Sequence, residues 1–231
     1  DDGSRGWSNL RGELTMAAIR TIDHLESSLT EDLKWRTHEM QLWEQVASSC
    51  RAHQVAGVLR GGLALVYAHW EGYVKEGARA YLEYISRKGL KVNELRSEIA
   101  AVALRSKLGQ GEASKNSSAH TAIVELLREA DTLPANLPYT SATIRTRANL
   151  KFEVFADIMH SIGCDASRHE IYQSTIDKRL LRHRNDIAHG REEYVSLSDW
   201  IDIRDRILLI LKDVRSQISN AAANEEYRRK A

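Results

Sequence analysis

Apolar residues recur every three or four positions along almost the whole chain, and few stretches alternate with a period of two. That spacing puts apolar side chains on one stripe of a helix, not on one face of a strand, so the chain reads as all-α. A first helix is expected near 10–28. A second is expected from a Thr30 cap, with Glu31 and Asp32 in its first turn and Leu33, Met40, Trp43 and Val46 presented along it. A long helix follows over about 51–88, either continuous with the second or broken near Cys50–His53. Further helices are expected near 93–108, 119–130, 151–162, 168–188 and 198–220. The polar stretch "GQGEASKNSS" (109–118) reads as a loop, and its Gly-x-Gly follows no strand, so it is not a dinucleotide loop. "DTLPANLPYTS" (131–141), which holds both prolines, reads as the main connector, and the tail "NEEYRRKA" as frayed.

Two of these helices constrain the packing. The last one shows Leu197, Trp200, Ile201, Ile207, Leu208, Leu211, Val214 and Ile218, widened by Ile203 and Ile210. A stripe that wide belongs to a helix central in the core, or to one covered on its far side by a partner subunit. The middle helix aligns Val66, Trp70, Tyr73, Val74, Gly77 and Tyr81, and is rich in Gly and Ala. Each glycine costs a helix about 1 kcal/mol relative to Ala, so several together imply that another helix comes close. On the same helix Glu71 and Lys75 stand in the favourable i, i+4 order. They make either a surface ion pair or a charge pair beside the site described next.

Composition narrows the class. The net charge is +1, from 33 basic and 32 acidic residues, so no global field attracts nucleic acid and a basic site has to be local. Cys50 and Cys164 are too few for a disulfide framework and read as reduced thiols of a cytoplasmic protein. No apolar run is long enough to cross a bilayer, so no membrane partner is expected. Residues 1–15 read as a leader outside the functional argument, residues 109–150 as an inserted helical or loop region, and 1–231 as one domain.

The local basic site is at "RHRNDIAHG" (182–190). Five of the seven residues from Lys178 to Arg184 are Lys, Arg or His. One account is an ordinary helix end: Gly190 just past it, His189 favoured by the dipole in the last turn, the arginines solvated. The other is a phosphodiester-cleaving site. Histidine titrates near neutrality and can move a proton, and arginine offers a permanently charged fork for phosphate oxygens. RNA carries its own nucleophile in the 2′-hydroxyl, so neither metal nor cofactor is needed. Five residues apart, Arg184 and His189 lie about 140° from each other on an ideal helix; a helix ending at Gly190 lets the ring turn back.

"RNDIAHG", with "YAHWEGYVKEGARAYLEYI" and "NLKFEVFADIMHSIG" upstream, resembles the HEPN superfamily, and within it the MAE-type prokaryotic branch found near mobile and defence genes. The resemblance implies an all-helical bundle, a homodimer that brings two Arg-x4-His motifs to one cleft, and metal-independent endoribonuclease activity, often as a toxin or phage-defence effector with an antitoxin or neighbouring defence protein as partner. Carried over, Arg184 and His189 are the catalytic pair, with Asn185 in the polar position after the arginine. Asp186, Glu71 and Lys75 are expected to support them, and Lys178, Arg179, Arg182 and His183 to hold the RNA. The rival expectation is a non-catalytic dimeric helical module that binds RNA, a nucleotide or a regulatory partner. A zinc hydrolase fits poorly: "HEIYQ" (169–173) has no second histidine at the required spacing, and Cys50/His53 and His160/Cys164/His169 make no matched ligand set. Among the other histidines, His69 beside Trp70 is the one to examine.

Overall fold

The computed structural model describes residues 18–113, 116–129, 131–140, 144 and 149–230, with backbone only for 110–113. Helix α1 runs Ile22–Ser49 and α2 runs Ala52–Ser86. The cap of α1 is Thr21, not Thr30: its hydroxyl accepts the His24 N–H at 3.2 Å. Thr30 is interior because Leu25, Leu29, Leu33, Arg36, Met40 and Ala47 form one buried stripe that crosses it, and a break there would take Leu25 and Leu29 off the face. Residues 10–17 of the expected first helix lie outside the described residues. The chain does break at Cys50–Arg51, where both residues are extended and the Gln54 side chain takes the Arg51 N–H at 3.0 Å.

The two long helices are antiparallel. Trp43 meets Gly62, Glu39 meets His69, and the Tyr73 hydroxyl donates to the Leu29 carbonyl at 3.2 Å. Helix α7 (Leu197–Ala223) lies against both, with Trp200 at Gly62, Ile218 at Gly77, and the buried Arg204 paired to Glu44. The wide stripe is therefore that of a central helix. Gly62 explains part of the glycine content of α2: a Cβ there would stand 2.0 Å from the Trp43 ring and 2.9 Å from the Trp200 indole nitrogen. Trp43 cannot easily retreat, since its indole donates to the Val58 carbonyl at 2.8 Å. Gly62→Ala is expected to destabilise by about 1–3 kcal/mol through overpacking, despite the helix propensity it gains. A denaturant melt checks this, and an unchanged or raised midpoint would show slack at the crossing.

Helix α3 (Ser97–Ala113) corrects the expected loop at 109–118: it runs on past Gly109, whose cost in helix propensity does not stop it, and α4 (Ser117–Arg128) packs against it. The connector is tied down where Val92 N–H meets the Leu133 carbonyl at 3.0 Å and Ala135 N–H the Leu90 carbonyl at 2.8 Å. The tail is not frayed through Lys230. Tyr227 is fully buried edge-on to Tyr84, Arg96 N–H bonds the Tyr227 carbonyl, and Arg229 N–H bonds the Glu94 carbonyl. One well-placed aromatic anchors a tail whose composition is otherwise polar. No strand occurs among the described residues, only two isolated bridges, and no helix is long and apolar enough to cross a membrane.

A candidate active site on the motif helix

Helix α5 (Phe152–Ser161) precedes the motif, and its first free N–H, on Phe152, is taken by Asp177 Oδ1 at 2.8 Å. The expected helix over 168–188 is three kinds of helix in succession: a 3₁₀ segment Ser167–Tyr172, a π segment Thr175–Leu181, and α6, Arg182–Ala188. Single π turns inside helices recur at functional sites. Here the wide turns bury Ile176 and Leu180 and lead directly into the motif.

Helix α6 ends as the ordinary account anticipated. Gly190 has φ +73°, its N–H bonds the Ile187 carbonyl at 3.0 Å, and the Arg191 N–H bonds the Asp186 carbonyl at 2.9 Å. This pair of bonds satisfies the last carbonyls, and the positive φ makes glycine the residue of choice. The same cap leaves His189 exposed at the helix end. A conventional terminus and an accessible imidazole are one arrangement.

Arg184 is half-buried, with its guanidinium carbon 4.5 Å from the centre of the Tyr67 ring. Its Nη1 donates to Asn149 Oδ1 at 3.2 Å and to Asn185 Oδ1 at 2.9 Å. Both bonds described fall on that one nitrogen, so part of the fork is braced while Nε and Nη2 bond no described residue. Asn185 thus acts on the arginine beside it.

Tyr67 connects the motif to α2. Its ring is buried, its hydroxyl accepts the Leu150 N–H at 2.8 Å, and Glu71 stands one helical turn further along α2. Burial pushes that hydroxyl up to about 12, with Glu71 raising it further and the Leu150 N–H and Arg184 opposing. It therefore stays protonated, with the negative charge of Glu71 nearby. Lys75 lies 3.8 Å from Glu71, both partly buried. The charge pair thus stands on α2 one turn beyond the ring on which Arg184 rests. Trp70 completes the support, its indole donating to the Leu150 carbonyl at 3.0 Å. Tyr67→Phe keeps the ring beneath Arg184 but leaves a buried N–H without a partner. It is expected to cost about 1–3 kcal/mol, read as a lowered midpoint in a thermal or denaturant melt; an unchanged midpoint would show that the Leu150 bond is dispensable.

The remaining expected residues divide. Lys178 and Arg182 are exposed. Arg179 is held by Asp199 and Asp202 of α7, and His183 Nδ1 lies 2.8 Å from Glu193 Oε2. Asp186 is buried, with Arg191 Nη1 at 2.7 Å and Arg182 Nε at 3.8 Å. Tyr67, Asn149 and Arg191 were not anticipated. Tyr67 and Asn149 each open a stretch that carries the family resemblance, and Tyr67 also stands one turn before Glu71; the contact of Asn149 with Arg184 spans 35 positions, which no local pattern marks.

Other reactive groups stand apart. His69 is buried with Nε2 2.9 Å from Glu39, but not aligned for a hydrogen bond; burial lowers its pKa and Glu39 opposes this. His169 pairs with Asp213 at 2.9 Å. Burial pushes the Cys164 thiol up to about 12, which leaves little thiolate for nucleophilic chemistry. No group of three or more metal-ligating side chains occurs among the described residues.

The all-helical bundle is the architecture that the HEPN resemblance implied. A family model described as MAE_28990-like HEPN matches residues 25–227, and the chain belongs to that family. The wider superfamily is one in which ribonucleases and nucleotide-binding proteins are common. No curated protein and no solved structure matches the chain.

Proposed function

We propose that this HEPN protein is a metal-independent endoribonuclease, acting as a homodimer and serving as a toxin or phage-defence effector. The observation that supports this most is the state of Arg184: seated on Tyr67, braced through one nitrogen, with His189 exposed at the end of the same helix. A guanidinium held this way is pre-organised for charge that grows on phosphate oxygens. His189 takes the proton of the 2′-hydroxyl or gives one to the leaving 5′-oxygen, and the second subunit's copy takes the complementary role. The attacking 2′-oxygen forms its bond to phosphorus as the bond to the 5′-oxygen breaks, so the products carry a 2′,3′-cyclic phosphate and a 5′-hydroxyl. Lys178 and Arg182 remain outward to hold the RNA backbone.

The test is incubation of the purified chain with mixed RNA in excess chelator, beside His189→Ala, followed by analysis of the new ends. Cyclic-phosphate ends that appear with the wild type and not with the variant are expected. RNA bound but left intact favours the regulatory or RNA-binding module instead. Cleavage that stops on chelation, or that survives in His189→Ala, overturns the mechanism.

A further inference from the structure

We propose that Arg182, Arg191 and Tyr194 form a nucleotide subsite beside the motif helix, in which the two guanidiniums take a backbone phosphate of single-stranded RNA and the tyrosine ring stacks on a base. The proposal rests on the ribonuclease reading and specifies which part of the substrate is held outside the reacting centre.

The subsite is organised by Asp186. Its side chain is 12% exposed, and its carboxylate lies 2.7 Å from Arg191 Nη1 and 3.8 Å from Arg182 Nε. A buried anion needs a cation, and one would neutralise it. Two leave a surplus positive charge, and both side chains are over 70% exposed, at 73% for Arg182 and 71% for Arg191. The Arg191 bond to Asp186 uses Nη1 alone, so the carboxylate orients the guanidinium without exhausting its five donors. Oriented arginines with donors to spare suit a phosphate.

Tyr194 supplies the second half. It follows Arg191 by three residues, a span of at most about 11 Å. It is 80% exposed, in a loop pinned on both sides of it. Upstream, Arg60 Nη2 donates to the Arg191 carbonyl at 3.0 Å, and Glu193 is bound to His183. Downstream, Val195 is buried. The ring therefore projects from a fixed backbone and contributes little burial to the fold. An outward aromatic on a tied-down loop, three residues from surplus positive charge, is a combination that suits single-stranded nucleic acid, because every base has a face to stack and every linkage a charge to neutralise. Glu192, exposed in the same loop next to Arg191, offsets part of that surplus, so the phosphate contact rests on the two guanidiniums. Trp35, another exposed aromatic, is a poorer candidate, since its indole is already bonded to Asp32 at 2.7 Å.

The probe is a fully 2′-O-methylated RNA oligonucleotide carrying one 2-aminopurine, which cannot undergo the cleavage and reports stacking by its fluorescence. The full chain is titrated at several salt concentrations and compared with Tyr194→Ala, Tyr194→Phe and Arg191→Ala, with sedimentation run on each. Wild type and Tyr194→Phe are expected to quench the probe. Tyr194→Ala should lose the quenching and bind about tenfold more weakly. Arg191→Ala should reduce the salt dependence by about one phosphate contact. Unchanged quenching and affinity in Tyr194→Ala would overturn the subsite while leaving the ribonuclease reading intact. If the wild type does not bind the probe even at low salt, the reading of the site as an RNA site fails, and the subsite with it. If Tyr194→Ala dissociates the protein without changing probe affinity, the ring belongs to a protein interface and the subsite is overturned.

Discussion

Arg184→Ala is expected to slow RNA cleavage by about 10²–10³-fold, the usual effect of deleting one preorganised donor to a developing oxyanion. The folded state should survive. The side chain is half-buried, and its ring contact with Tyr67 is worth about 0.5–2 kcal/mol, well short of a typical domain's total stability. Arg184→Lys should rescue little, because an ammonium cannot lie flat on the Tyr67 ring and lacks the planar fork that bonds Asn149 and Asn185 through one nitrogen and keeps the others for phosphate. Initial rates on chelated RNA, together with a melt of each variant, check both halves. Wild-type rates in Arg184→Ala would remove the arginine from the chemistry. A collapse of the fold would make its role structural.

Trp70→Ala should have the largest effect on stability, about 3–5 kcal/mol for loss of a buried aromatic. Trp70 is fully buried, packs 4.9 Å from the Phe155 ring, and holds the Leu150 carbonyl. Leu150 follows Asn149, which braces Arg184, so the substitution should also loosen the site. Trp70→Phe separates the two effects: it refills most of the volume and restores most of the stability, while the Leu150 carbonyl stays unpaired and cleavage remains impaired. Denaturant midpoints set beside cleavage rates read this split. Equal recovery of stability and rate in Trp70→Phe would show that the hydrogen bond does not position the site.

How much was legible in advance follows from the range of the interactions. That α7 is central was decided by its packing on α1 and α2, but the helical period, the buried face of α2 and the wide apolar stripe of α7 are properties of neighbouring residues, and they read correctly. So did the cap at Gly190, since a helix end is decided within a turn. Caps that compete with a long apolar stripe did not: Thr30 has the right chemistry, but burial across it outweighs a cap worth about 1 kcal/mol. The polar tail was misjudged for a related reason, as composition averages over the one residue, Tyr227, that anchors it.

In the candidate site the same division holds. Arg184 and His189 stood out because a local basic run holds the arginine and the Arg-x4-His pattern of the HEPN resemblance falls on the pair. Their surroundings did not: Tyr67 and Asn149 reach Arg184 from 117 and 35 positions away, and Arg60 reaches Arg191 just past the helix from 131, distances that local pattern cannot encode. Even the division of labour among the basic residues is tertiary. Arg179 faces two carboxylates of α7 while Arg182 faces water, although both belong to one basic run.

The sequence by itself determined an all-helical chain and its apolar faces, because periodicity and side-chain type are set by covalent order and short-range sterics, and its likeness to a family motif singled out the pair of residues on which the chemistry is proposed. Only the tertiary structure decided which charges are spent within the fold and which face outward. That outcome depends on burial and on partners brought from distant parts of the chain, and the energy of a charge is governed by its surroundings more than by its neighbours in sequence.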